Sequence, residues 1–191
     1  MIECEQSNDL AVSVDMFKTT EKQVVREYMN SLVTTHNFEV TDSAAEVAFD
    51  FKRLNIGDFQ VCDFSYGDCE VDIKLNHCDE HKFFIVVPLS GYVDITSADS
   101  QFTLRPGSAW AFSTPDATNT RFHDSSNFRN INICLSYGSL RKFLSNDFDL
   151  PITRTINFPA HPISVNADFR FLLDYIEWFT TRFDADVNKM L

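Results

Sequence analysis

The sequence has few basic residues and no cluster of them. Lys and Arg number 16 against 28 Asp and Glu, so the formal net charge is −12. No run of basic residues is longer than a pair such as Arg141-Lys142. Binding to the phosphate backbone of nucleic acids needs clustered Lys and Arg. This stretch of chain is therefore not expected to hold DNA by itself.

Long apolar runs are also missing. No segment approaches the ~18 consecutive apolar residues that a membrane-spanning helix requires. The sequence begins Met1-Ile2-Glu3-Cys4-Glu5, which lacks the basic stretch and the apolar run of a secretory signal. We expect a cytoplasmic protein that does not insert into the membrane.

Motifs that carry common catalytic or metal chemistry are absent. The five Cys residues form no CxxC or CxxH pair of the kind found in structural zinc sites, so we expect reduced, partly buried thiols. There is no Gly-x-Ser-x-Gly nucleophile turn, and the five Gly residues form no phosphate-binding loop. No cofactor is expected.

Phenylalanine, in contrast, is abundant. The chain contains 19 Phe against 5 Tyr and 2 Trp. Each buried aromatic ring removes on the order of 150–250 Å² from water, so these rings must supply much of the core. Two interpretations stay open, namely an interior packed solidly with Phe, or rings that line a cavity for an apolar or aromatic ligand.

Alternating apolar residues dominate the chain from residue 45 to residue 136. Such period-two runs are typical of half-buried strands, and turn signals such as Asn55-Ile56-Gly57-Asp58 and Arg105-Pro106-Gly107 separate them. Many short strands without helices between them predict a β-sandwich or barrel. The alternating positions are Val47, Phe49, Phe51, Val71, Ile73, Leu75, Phe83, Ile85, Val87, Leu89, Val93, Ile95, Phe102, Leu104, Ile131, Ile133 and Leu135.

Helical periodicity flanks this region. Thr19-Thr20-Glu21-Lys22 predicts the start of a helix that runs to about Val33, and Ser139 to Leu144 predicts a short second helix. Asn166 or Asp168 caps a longer helix through about Phe183. Its wide apolar stripe either packs on the barrel or forms a dimer interface, and one helix with two faces can do both. The candidate interface residues are Phe169, Leu172, Leu173, Tyr175, Ile176, Trp178 and Phe179.

Residues 86–115 resemble the signature region of the N-terminal domain of AraC-family transcriptional regulators. The pattern is Pro88-Leu89-Ser90-Gly91 at the end of a strand, a hairpin to Leu104-Arg105-Pro106-Gly107, and then Phe112-Ser113-Thr114-Pro115. The likeness extends over most of the chain. The helix near residues 21–33 is similar to the family's N-terminal helix, and residues 53–59 resemble its first barrel turn.

The resemblance implies a cupin-like jelly-roll β-barrel that binds a small-molecule effector and regulates transcription. It divides the chain into an N-terminal helical segment packing on the barrel (1–44), the barrel (45–136) and a helical segment that forms a homodimer (137–191). The family also has a C-terminal pair of helix-turn-helix motifs, and no stretch after Phe183 is long enough to hold them. We expect DNA contacts only through such a domain, which is absent here.

Cupin barrels also carry metal-dependent enzymes, so a catalytic alternative stays open beside a ligand-free dimerisation module. Metal cupins generally have a His-x-His pair, a Glu soon after it, and a later His. In the equivalent stretch His77 and His81 are four apart, the Glu position falls near Phe84, and no His occurs between Pro115 and Phe122. We expect neither a metal site nor enzyme activity.

The barrel interior is the expected effector site, as an apolar pocket with a few fixed polar groups. Arg53 and Arg121 could together bind a carboxylate, which would suit an aromatic or fatty acid, although an Arg near a strand end is more often a solvated surface charge. An error of one residue in strand phase would exchange inside and outside. The candidate walls are Phe49, Phe51, Phe83, Ile85, Trp110 and Phe112, and the candidate polar anchors are Arg53, Tyr66, His81, Arg121 and His123.

Overall fold

The structure is a computed structural model, and it describes residues 12–32, 36–41, 46–76, 81–97, 100–114, 117, 119–147, 160–171, 173, 174 and 176. The elements in chain order are β1 (Val12–Thr19), α1 (Lys22–Leu32), β2 (His36–Val40), β3 (Phe49–Ile56), β4 (Phe59–Ser65), β5 (Val71–Leu75), β6 (Lys82–Ser90), β7 (Val93–Thr96), β8 (Gln101–Leu104), β9 (Ser108–Ser113), β10 (Arg121–Asp124), β11 (Arg129–Ser136), α2 (Tyr137–Asp147) and β12 (Ile163–Ser164). Residues 167–171, 173, 174 and 176 are helical and are called α3.

Two antiparallel sheets pack face to face. One has the strand order β1-β3-β4-β11-β6-β9-β12, and the other has the order β2-β5-β10-β7-β8. The two main core clusters each combine side chains from both sheets, as where Phe84 of β6 packs in one cluster with Phe122 of β10. The predicted fold class, a jelly-roll-like β structure with flanking helices, is confirmed.

The first 44 residues contribute strands to both sheets, whereas the sequence predicted only a helix there. β1 pairs with β3 from Val12 opposite Ile56 to Thr19 opposite Phe49, and β2 pairs with β5. Between them α1 buries Val25 against the rings of the interior. The signal for β1 was present in the alternation of Val12, Val14 and Met16 and was overlooked. In β2 the inward positions are His36, Phe38 and Val40, so a buried His stands where the pattern expects an apolar residue.

Helix starts and turns follow the local sequence signals. The Thr19 hydroxyl accepts a hydrogen bond from the backbone N–H of Glu21 at 3.1 Å, one residue before α1. The Asn166 carboxamide oxygen accepts one from the N–H of Phe169 at 2.9 Å, so Asn166 is the N-cap of α3. The predicted short helix at 139–144 lies within α2.

The seven-stranded sheet is covered on its outer face as well. Leu173 and Ile176 of α3 are each 5% exposed and pack against a row of apolar side chains that includes Leu54, Ile131 and Ile133. The sheet therefore has apolar neighbours on both sides. The five-stranded sheet differs, because residues on its outer face such as Glu39 and Arg121 are exposed.

Gly91 forms the corner between β6 and β7, and we expect its replacement by Ala to destabilise the fold. Its φ is +66°, and an added Cβ would lie 2.7 Å from Ser125 Oγ and 2.9 Å from Phe128 Cα. Ser125 Oγ cannot move freely because it accepts a hydrogen bond from the N–H of Tyr92 at 2.8 Å. We expect Gly91→Ala to lower the free energy of unfolding by more than the ~1–2 kcal/mol of a positive φ alone, as measured by urea denaturation.

Gly107→Ala is the matched control. Gly107 also has a positive φ, +90°, but a Cβ there would meet no heavy atom within 4 Å. The Gly107→Ala variant should therefore lose only the conformational cost of about 1–2 kcal/mol from its free energy of unfolding. Equal losses in the two variants would contradict the steric argument at Gly91.

Candidate functional site

A cavity of about 60 Å³ lies between the two sheets. Its wall is mostly apolar, with four polar side chains set into it. The apolar lining consists of Met29, Phe64, Ile73, Leu75, Phe84, Val86, Val93, Phe112, Phe122 and Phe128. The polar lining consists of His36, Asp124, Asn130 and Asn132, and among the described residues the wall contains no Lys or Arg. This composition is typical of a small-molecule site.

Two of the polar groups come from β11, the strand between β4 and β6. Asn130 and Asn132 alternate with Ile131 and Ile133, so the amides face the cavity while the isoleucines face α3. Asn130 Nδ2 donates a hydrogen bond to Asn132 Oδ1 at 3.2 Å. Asn130 Oδ1 is buried and has no hydrogen-bond partner in the described part of the chain. The wall thus presents a hydrogen-bond acceptor to the cavity.

Asp124, the last residue of β10, is only 3% exposed. Burial raises its pKa well above the ordinary value, and the nearby carboxylate of Asp72 raises the pKa further. Loss of the aqueous shell disfavours the charged form of an acid, so burial favours the neutral carboxylic acid of Asp124. Such a group carries an O–H and can donate a hydrogen bond.

Tyr66 and His36 complete the polar surroundings. Burial raises the pKa of Tyr66 well above its ordinary value, with the charge of Asp124 as the next cause. The Tyr66 hydroxyl is buried and has no hydrogen-bond partner among the described residues. His36 is held at the start of β2, where its backbone N–H donates to Asn30 Oδ1 at 2.8 Å. The interior therefore keeps several polar groups away from water.

Aromatic rings make the remaining wall rigid. Phe112 stacks between Phe84, with a centroid distance of 5.4 Å, and Trp110, with a centroid distance of 4.7 Å. Phe122 lies across from this stack on the other sheet, 5.8 Å from Phe112. Stacked rings limit one another's movement, so this side of the cavity keeps its shape.

The candidate wall residues occupy three different places. Phe112 lines the cavity and Trp110 packs behind it. Phe49 and Phe51 are buried in the neighbouring ring cluster under α1, next to Tyr66.

Phe83 and Ile85 lie on the opposite face of β6, where Phe83 stacks on Tyr137 at 5.6 Å and Ile85 packs in the cluster under α3. The cavity-facing residues of β6 are Phe84 and Val86 instead. The alternation of residues could not show which side of β6 faces the cavity, because both faces of the strand are covered and both sets of residues are apolar.

The two candidate arginines do not converge. Arg53 donates from Nε to Asp15 Oδ2 at 2.9 Å, across the β1–β3 pair. Arg121 is exposed on the outer face of the five-stranded sheet, beside Glu39 and Lys74. The expected pair of arginines around one carboxylate is thus not formed, because their strands belong to different sheets and Arg121 faces outward.

The candidate histidines also lie outside the cavity. His123 shares the outer face with Arg121, and its Nδ1 is 2.8 Å from Asp72 Oδ1. His81 is exposed before β6, with its ring 6.1 Å from that of Tyr137.

Sequence reasoning missed the polar groups of the cavity. A signal for Asn130 and Asn132 was present in Asn-Ile-Asn-Ile-Cys-Leu, where Asn130 and Asn132 share a face with the buried Cys134. Asp124 shares a face with the buried Phe122 in the same way. A polar residue two positions from a large apolar one in a strand can therefore indicate a buried polar group, provided that both sheet faces are covered.

No group of three or more His, Cys, Asp and Glu side chains that could hold a metal ion occurs among the described residues. His77, Cys78, Asp79 and Glu80 lie outside these residues. Cys62, Cys69 and Cys134 are buried, and within the part of the chain that the structure describes they form no disulfide. In the described ranges, no helix has the length and apolar character needed to cross a membrane.

Replacing Asp124 by Asn should change how stability depends on pH. Because the folded-state pKa is raised, the unfolded state releases this proton above about pH 4 while the native state keeps it. The stabilising contribution is therefore fully present below about pH 4 and is lost as the pH rises towards the folded pKa. We expect Asp124→Asn to gain stability relative to the wild type as the pH rises above about 4, by up to ~1.4 kcal/mol per pH unit until the folded pKa is reached.

The measurement is urea unfolding at a series of pH values. Asp58→Asn, an exposed acid in the β3–β4 turn, is the control and should follow the wild type. Parallel pH profiles for Asp124→Asn and the wild type would show that Asp124 is ionised in the folded protein. The acids and phenols nearest Asp124 are Asp72 and Tyr66.

Comparisons with known proteins agree with this architecture. The crystal structure of the AraC-like transcriptional activator CuxR matches with a TM-score of 0.56 and 12% identity, covering 72% of this chain and 51% of that one. The chain thus spans about half the length of that activator. No curated protein matches the sequence.

Two cupin structures show weaker matches. The Cnp3 cupin domain of Schizosaccharomyces pombe gives a TM-score of 0.36 at 14% identity, over 49% of this chain and 69% of that one. The EutQ protein of Clostridium difficile gives a TM-score of 0.33 at 13% identity, over 51% of this chain and 74% of that one. A family model described as "AraC-binding-like domain" matches residues 25–176, which include α1 from Val25, the strands of both sheets from β2 onward and α3 as far as Ile176. The chain therefore belongs to the AraC-binding-like domain family.

Proposed function

We propose that the chain is a regulatory domain that binds a small-molecule effector between its sheets and dimerises, and so controls DNA binding by a C-terminal domain in the cytoplasm. The observation that carries the proposal is the buried acceptor Asn130 Oδ1, which lines an apolar cavity without a hydrogen-bond partner among the described residues. An unsatisfied buried acceptor costs about 1–3 kcal/mol. A ligand that donates a hydrogen bond would remove this cost.

The position of β11 offers a route from the cavity to the helices. Asn130 lines the cavity, and the next residue, Ile131, contacts the cluster that holds Leu173 of α3. Met29 of α1 also lines the cavity. A ligand that binds one spacing of these elements more tightly than another would shift the population towards it. The effector would thereby bias how an attached DNA-binding domain is presented.

A regulatory role fits the cavity better than a catalytic one. Metal cupins need several nitrogen and carboxylate ligands that converge on one ion. In the described wall, the side chains with that chemistry are His36 and Asp124, and burial disfavours the charged carboxylate of Asp124. The remaining polar groups are amides, which suit recognition by hydrogen bonds.

An effector should stabilise the domain against heat. A ligand present at 100 times its Kd adds about 2.7 kcal/mol to the free energy of unfolding. We expect at least one member of a library of small metabolites to raise the Tm in a saturable way. Val86→Phe, which would fill the cavity, should abolish the ligand-induced shift, and the exposed Arg121→Gln should retain it. No shift with any compound would favour a ligand-free dimerisation module.

The dimer interface is proposed on the outer side of α3. Leu173 and Ile176 are used within the chain, and Phe169 packs partly against the same cluster. On another side of the helix Phe171 is 74% exposed. Large exposed aromatic rings are enriched at interfaces, so one face of α3 would pack on the sheet and the other on a second copy. The candidates Leu172, Tyr175, Trp178 and Phe179 lie outside the described residues.

Phe171→Asp should weaken the dimer. A charge at the centre of an apolar interface must be taken out of water without a partner, so we expect at least a tenfold rise in the dissociation constant. Light scattering coupled to size-exclusion chromatography over a dilution series measures it. Phe59→Asp is the control, because Phe59 is 38% exposed at the β3–β4 turn, away from α3. A dimer unchanged by Phe171→Asp, or a wild-type monomer, would refute this interface.

A further inference from the structure

We propose that the cavity binds a compact, neutral, mainly apolar molecule with a hydroxyl group that donates to Asn130 Oδ1, and that it rejects carboxylates. This inference deepens the proposed function and rests on it. Its basis is the chemistry of the wall, in which Asn130 Oδ1 is an acceptor without a partner in the described part of the chain. Asn130 is itself only 3% exposed, so the acceptor is reached from inside the cavity.

The acceptor is held in a fixed direction. The other end of the same amide donates from Nδ2 to Asn132 Oδ1 at 3.2 Å, which sets the orientation of the Asn130 side chain. Both residues lie on a central strand paired on both sides, with β4 and with β6. Rotation of the Asn130 amide alone, to present its NH₂ group, would break the bond to Asn132. In this arrangement of the two amides, a ligand must bring the donor.

A carboxylate would meet no Lys or Arg in the described wall. Arg53, the candidate cation nearest the interior, is engaged with Asp15 across the β1–β3 pair. Arg129, next to Asn130 in sequence, forms a two-pronged pair with Asp63 at 2.9 and 2.7 Å. A buried anion without a partner costs far more than a neutral group of the same shape. Asp124 would add repulsion if it lost its proton.

The carboxyl group of Asp124, when protonated, offers a second hydrogen bond to a ligand hydroxyl. It lines the same cavity from the opposite sheet and, while protonated, can donate to a hydroxyl oxygen. A hydroxyl both donates and accepts, so one group can use Asn130 and Asp124 together. A methyl group can form a hydrogen bond with neither residue. A carboxylate can accept one from Asp124 but cannot donate one to Asn130.

Size and shape restrict the rest of the ligand. The cavity of about 60 Å³ is several times the space that one water needs but suits only a compact molecule. Its rings, Phe84 and Phe112, with Phe122 opposite, favour an apolar body. Benzene is held by a cavity of about 150 Å³, so a short-chain alcohol fits this cavity and a phenol ring does not.

The test uses 1-propanol, 1-chloropropane and propionate as probes of the whole chain, with binding followed by NMR titration at pH 7. 1-Propanol and 1-chloropropane are of similar size and differ in the hydroxyl, while propionate carries the anion. We expect 1-propanol to bind about three- to tenfold more tightly than 1-chloropropane, and propionate not to bind measurably. Asn130→Leu should reduce the affinity for 1-propanol to that for 1-chloropropane, whereas Asp124→Asn, which keeps a neutral donor, should retain 1-propanol binding.

Each other outcome overturns the inference. Propionate binding as tightly as 1-propanol would show that the cavity accepts anions, and if Val86→Phe abolished that binding the proposed effector site would still stand. Equal affinities for 1-propanol and 1-chloropropane, or no binding of any probe, also overturn it, whatever ligand the metabolite library reveals. The wild-type comparison holds even if Asn130→Leu does not fold.

Discussion

The architecture depends on one constraint, which is that the seven-stranded sheet is covered on both faces and its central strand β11 has no side open to water. Ile131 and Ile133 face the helix α3, while Asn130 and Asn132 face the other sheet. The two amides satisfy one donor and one acceptor between themselves, and Asn130 Oδ1 is left over. Native interiors contain few such groups, so each of them needs a reason, and an internal binding site provides one.

The many Phe residues pack solidly in one part of the interior and line a cavity in another. Under α1 the rings of Phe49, Phe51 and Tyr66 pack together, with centroids 5.4 to 5.9 Å apart for neighbouring rings. Beside β11 the rings of Phe84 and Phe112, with Phe122 opposite, line the cavity. The wall there also contains an amide and a carboxyl group, Asn130 and Asp124, and such buried polar groups need hydrogen-bond partners.

Features set by neighbouring residues were predictable from the sequence, and features set by distant ones were not. The N-cap at Asn166 and the turn at Gly91 are local, and the structure contains both. The phase of β6 was not readable, because Phe83, Phe84, Ile85, Val86 and Val87 are all apolar and the strand is covered on both sides. The fate of Arg53 depends on Asp15, 38 positions away, which joins it only once β1 pairs with β3. From the sequence alone, an Arg that binds a ligand therefore could not be distinguished from an Arg that forms an ion pair within the chain.

A ligand between the sheets would act where the two sheets are joined by side chains and not by backbone hydrogen bonds. The strands of each sheet are joined by hydrogen bonds, but the two sheets meet through side chains, and in the cavity they meet least. Asn130 belongs to one sheet and Asp124 to the other, so a molecule that contacts both fixes their spacing at that point. Only a difference in affinity between spacings can move the equilibrium, and a contact to both walls supplies it directly. Because Ile131 carries the same strand into the packing under α3, a change in spacing at Asn130 reaches the helix through a single residue step.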